Sequence, residues 1–102
     1  MEAKDGIQAF LNRTKHITLA DLATGHDVDY LFRNTVEEVG EFAAAVTIEA
    51  GIKDKPLKET STQEAVDVVI CALSLFYARG GTNEMLAEYG QKKLDKWEAR
   101  LP

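Results

Sequence analysis

The chain is 102 residues long, with 12 basic and 17 acidic side chains and a net charge of −5; that is the length of one domain, and 45% hydrophobic residues exclude intrinsic disorder. One cysteine, Cys71, excludes an intramolecular disulfide framework, and no apolar run reaches the ~18–20 residues that cross a bilayer. The acidic balance disfavours a nucleic-acid polymer as partner, and MEAKDGIQ lacks the basic-then-apolar pattern of a signal peptide, so a cytoplasmic protein without membrane contact is expected.

The first predicted element is a helix over about residues 3–16, where Ile7, Phe10, Leu11 and Thr14 recur at helical spacing. A short helical turn from Thr18, ended by Gly25, follows. The second helix is predicted over about 28–50. Its Phe32, Val36, Val39, Ala43, Val46 and Ala50 step by 4, 3, 4, 3, 4, which makes a seam for another helix, and Gly51 supplies the stop. A polar linker, Ile52 to Glu59, carries Lys53, Lys55, Pro56 and Lys58. The third helix is predicted over about 61–79, with Ser61 to Glu64 as its capping box. From Ala65 to Ala78 it is apolar nearly all round, and its length favours a buried helix over a strand. Gly80 and Gly81 end it, and Thr82 or Asn83 caps a fourth helix over about 83–99 with Met85, Leu86, Tyr89, Leu94 and Trp97 on its inner face.

Four helices with short connections predict an all-α fold, an antiparallel bundle. Three partners in a small monomer hardly cover a helix as apolar as the third. An oligomer is therefore expected, a homodimer or homotetramer, with parts of helices two and three at its interface.

Two groups of acids stand out. Glu37, Glu38 and Glu41 lie within one turn of helix two, and Glu64 and Asp67 are three apart on helix three. Like charges at that spacing repel unless a cation or solvent relieves them. Mg²⁺, with Mn²⁺ as a substitute, suits an all-carboxylate set better than zinc does. Asp67 sits in the apolar run EAVDVVICAL, where an unpaired carboxylate is expensive, so it needs a partner. A site-free account also exists. It makes Glu64 a member of the capping box, Glu37 and Glu38 a solvated face, and Asp67 the mate of a base on helix four.

Glu37-Glu38-Val-Gly-Glu41 followed by Glu64-Ala-Val-Asp67 resembles the EExxE and ExxD pair of the MazG-like all-α nucleoside triphosphate pyrophosphohydrolases. The ending Lys93-Leu-Asp-Lys96-Trp-Glu-Ala-Arg100-Leu-Pro is similar to that superfamily's last helix, and the likeness spans roughly residues 28–102. The resemblance implies hydrolysis of (deoxy)nucleoside triphosphates to monophosphate and pyrophosphate, with a house-cleaning role in the nucleotide pool. It implies Mg²⁺ on Glu38, Glu41, Glu64 and Asp67, with Glu37 a further ligand or an outer partner. Water activation would fall to Glu41 or Glu37, and substrate contacts to Lys93, Lys96 and Arg100, with Lys92 and the linker lysines Lys53, Lys55 and Lys58 behind them as cations. A triphosphate carries about four negative charges, which an acidic protein repels unless a metal bridges the two.

Trp97 stands where members often carry an asparagine, and is read as core or as a stacking surface. The aromatic-plus-histidine pattern near the base is absent, and His16 and His26 are read as surface residues. A phosphoribosyl-ATP pyrophosphatase is the runner-up, but its histidine four residues after the ExxD aspartate is Cys71 here. A di-iron bundle lacks its Glu-x-x-His motifs. A helical dimerisation module without catalysis is the reading outside the enzyme class.

Overall fold

In a computed structural model, which describes residues 3–102, the chain folds into four α-helices: α1 (Ala3–Ala23), α2 (Val28–Glu49), α3 (Ser61–Ala78) and α4 (Asn83–Glu98). The described residues contain no strand. None of these helices is by itself long and apolar enough to cross a membrane.

The first helix runs a full turn and more beyond residue 16, as one element through Ala23. Its threonines explain the continuation. Thr14 Oγ1 donates to the Phe10 carbonyl and Thr18 Oγ1 to the Thr14 carbonyl, each at 2.8 Å, so the hydroxyls are satisfied without breaking the helix. Both threonines are buried, and Thr18 Oγ1 lies 2.8 Å from Ser74 Oγ on α3. Asp27 then caps α2, its carboxylate accepting from the Tyr30 N–H.

The capping box of α3 is one residue earlier than Ser61–Glu64. Thr60 is the cap: its hydroxyl accepts from the Gln63 N–H and its own N–H donates to Gln63 Oε1 at 2.9 Å. Ser61 is thereby freed. Its N–H and Oγ both donate to the Glu49 carboxylate at the end of α2, at 2.8 and 2.5 Å. At that end Gly51 takes φ 76°, and the Gly51 and Ile52 N–H groups donate to Ile48 and Thr47 carbonyls. The linker is thus a loop with both ends tied. The C-terminus of α3 closes the same way at Gly80 (φ 88°), and Gly81 lies where a Cβ would run into the Phe76 ring.

The long apolar helix α3 packs on both α2 and α1. Among the described residues, Leu31 and Ala45 of α2 and Tyr77 of α3 are the buried large or apolar side chains. The seam expected on α2 is uncovered: Phe32, Val36, Val39 and Val46 are 57, 55, 47 and 45% exposed, and Ala43 and Ala50 are exposed too. The helix is turned about one residue, so that Leu31, Glu38 and Ala45 lie on its sheltered side instead. Val66 and Val69 of α3 are half exposed.

The fourth helix leaves α3 at a bend of 117° and buries no residue. Its first turn is held by the Thr82 cap and by Asn83, which accepts from Tyr77 Oη and donates to Asn12 of α1. Beyond that turn Leu94 and Trp97 are 53 and 65% exposed, so Trp97 is not a core residue of this chain. The radius of gyration is 16.0 Å, against about 13 Å for a compact domain of this length.

Candidate metal centre

The packing of α2 against α3 brings Glu38, Glu64 and Asp67 together. One carboxylate oxygen from each lies within 4.8 Å of the other two. The helical period explains the set. Glu64 and Asp67 are three apart and share the face that α3 turns to α2, and Glu38 stands on the sheltered side of α2. Glu64 is buried at 7% exposure, and the other two are half-buried.

Two oxygens in the cluster, Glu38 Oε2 and Glu64 Oε2, are buried and have no hydrogen-bond partner. A buried acceptor left unmade is costly, and one on a charged group more so. The titration reflects this. Loss of solvent raises the Glu38 carboxyl above its ordinary value of 4.5, helped by the charges of Glu41, Asp67 and Glu64. Loss of solvent also raises Glu64, followed by the charges of Glu59, Glu41 and Asp67, with Lys58 partly opposing them. The half-buried Cys71 thiol is pushed up by burial and by the charges of Glu38 and Asp67.

The site-free account of these acids holds for Glu37, which is exposed, and fails for Glu64 and Asp67. Glu64 is outside the capping box, which Thr60 and Gln63 form. Asp67 has no basic mate, since the ion pairs among the described residues are Asp21–His26 and Glu88–Lys92. What remains is a nest of carboxylate oxygens of one charge, the donor set of a hard divalent cation such as Mg²⁺ or Mn²⁺. The orphaned Glu64 Oε2 fits that group.

The other expected site residues fall in different places. Glu41 is exposed at the rim of the cluster, and with Glu64 it lines a cavity of about 320 Å³ between α2 and the linker. Glu37 is exposed and outside the trio. Lys93 and Lys96 share an open groove with Tyr89 and Lys92, with no acid of the cluster on its walls, and Arg100 is exposed beyond the end of α4. Sequence reasoning gave Glu59 no role, although its charge bears on Glu64. Its position just before the cap of α3 was the available signal. His26 is exposed, stacked on Tyr30 at 3.8 Å and 2.6 Å from Asp21, away from the acids.

No protein-family model, curated protein or solved structure matches this chain.

Proposed function

We propose that the chain is a metal-dependent nucleoside triphosphate pyrophosphohydrolase of the MazG-like kind, working as a homo-oligomer. The observation that carries this reading is the buried Glu64 carboxylate, which has an unpartnered oxygen and sits beside two further acids. The spacing of EExxE and ExxD adds to it. Glu38, Glu64 and Asp67 would hold Mg²⁺ or Mn²⁺, with Glu41 at the rim as a fourth donor. When bound, the ion draws charge from the phosphate oxygens and makes water more acidic.

The protein's own part in the chemistry follows from which acids are tied down. Glu38 and Glu64 are enclosed, so they anchor. Glu41 is exposed and borders the cavity, so its carboxylate is the one that reaches a water molecule. Glu41 takes the proton of the attacking water as its oxygen bonds to the α-phosphorus. The bond from that phosphorus to the bridging oxygen breaks, and pyrophosphate leaves with the electron pair. Glu37 orients from outside the cluster in this scheme. Lys93, Lys96 and Arg100 remain substrate contacts on the strength of the resemblance alone.

A panel of nucleoside and deoxynucleoside triphosphates with Mg²⁺ tests the proposal. Monophosphate plus pyrophosphate is the expected product pair, and orthophosphate plus diphosphate would contradict attack at the α-phosphorus. Glu41→Gln should lower turnover about 10²- to 10³-fold while the helical spectrum stays intact. The exposed seam on α2 favours a second reading, a helical dimerisation module without catalysis. Millimolar Mg²⁺ separates the two, because an ion that binds only the folded state raises the melting temperature. A melting curve unmoved by Mg²⁺ and Mn²⁺ would leave the module.

A further inference from the structure

The cavity beside the acids has a second wall, on the linker, that carries two lysines. Its floor is apolar, with Ala45 and Ile48 of α2 among the residues beneath it. Glu41 and Glu64 border it from the helices, and Lys55, Lys58 and Glu59 from the linker. Yet no carboxylate among the described residues forms an ion pair with either lysine. Two cations and several acids thus face one cavity without neutralising each other. A ligand that brings a metal to the acids and anionic oxygens to the lysines satisfies both walls.

The linker is built to hold that wall in place. Glu49 ties the end of α2 to Ser61 at the start of α3, and Gly51 and Ile52 close the last turn of α2. Pro56 fixes the backbone between the two lysines. By contrast, the lysines of α4 line a groove that no acid of the cluster shares.

We propose that Lys58, with Lys55, is the anion-binding wall of the site and takes the phosphate chain of a metal-bound nucleoside triphosphate, whose organic part lies on the apolar floor. This rests on the reading of the acids as a metal centre. Lys58 acts as a compact point charge for phosphate oxygens and removes the repulsion that the acidic surface otherwise presents. The floor offers no aromatic ring for stacking and no side-chain amide for reading a base edge, so binding follows the phosphate chain more than the identity of the base.

The test uses the full chain, Mn²⁺, and a non-hydrolysable α,β-imido deoxynucleoside triphosphate in titration calorimetry. Lys58→Ala should weaken metal-dependent nucleotide binding about 10- to 100-fold, as expected for a lost charge-assisted contact, and Lys58→Arg should retain most of it. Mn²⁺ alone should bind Lys58→Ala at least as tightly as wild type, because a repelling cation is gone. Unchanged nucleotide affinity in both Lys58→Ala and the Lys55→Ala, Lys58→Ala double variant would overturn the proposal and leave the metal centre standing. Loss of Mn²⁺ binding in Lys58→Ala would overturn it as well, by showing that the lysine only supports the fold. A wild-type chain that binds no Mn²⁺ would remove the metal centre, and this wall with it.

Discussion

At Glu64 the folded chain holds a carboxylate with one oxygen enclosed and unpartnered. The same is true of Glu38 Oε2. Both groups titrate above 4.5 in the folded chain, chiefly from loss of solvent. Between that value and the raised ones the folded state therefore binds more protons than the unfolded state. Stability of the metal-free protein falls as pH rises through this window, and the loss is complete above it. Melting in a chelator should accordingly improve as pH is lowered from neutral towards 4.5. In millimolar Mg²⁺ the sign reverses, since protons and metal compete for the same oxygens, and the metal-induced rise in melting temperature should shrink over that range. Glu64→Gln should raise the melting temperature in chelator, flatten the pH profile and abolish the response to Mg²⁺. A variant that still responds fully to Mg²⁺ would take Glu64 out of the centre.

Among the elements, the start of α3 controls how the acids are presented. Thr60 and Gln63 close its first turn, which leaves Ser61 to bind Glu49 and Glu64 to face α2. Thr60→Ala should cost about 1 kcal/mol of stability, read from denaturant unfolding. Glu49→Gln should cost less at neutral pH than Glu49→Ala, because the amide oxygen still accepts from Ser61. Hydrogen bonds from Ser61 hold the Glu49 carboxyl below 4.5, so this clamp weakens only in acid. The extents of α2, α3 and α4 were legible in the sequence to within a residue or so, because apolar period, glycine stops and caps agree there. The continuation of α1 past Thr18 was not legible. A threonine that bonds back within its own helix looks, in a sequence, like one that starts a new helix. The cap of α3 slipped for a similar reason, since Thr60 and Ser61 are equally good caps and only the Glu49 contact separates them. Glu38, Glu64 and Asp67 were legible as a group because helical spacing fixes their faces. Lys58 was legible only as one of several linker lysines ranked behind those of α4 as cations for the phosphates, because its place depends on how the loop folds back.

For the molecule as a whole, the accessible surface is 7854 Å², whereas a compact monomer of 11.3 kDa exposes about 5,700 Å². The excess, about 2,100 Å² per chain, is of the order that obligate dimers cover. It includes the α2 stripe from Phe32 to Val46 and the outer face of α3 at Val66 and Val69. In the proposed homo-oligomer, a second copy laid on these faces would answer the 4-3-4-3-4 pattern that this chain leaves uncovered. Light scattering should give a multiple of the 11.3 kDa chain mass. Phe32→Asp combined with Val46→Asp should reduce the mass to a single chain and loosen the fold. A wild-type chain that is monomeric and melts sharply would refute that arrangement.

That uncovered stripe also ties folding to amount. In the proposed homo-oligomer, unfolding and separation would be one multi-chain event, and the equilibrium would acquire units of concentration. The melting temperature should then climb with the logarithm of the protein concentration. Below some threshold of dilution the acids of α2 and α3 would part, whatever the supply of magnesium. Abundance itself would set how much of the protein is in working form.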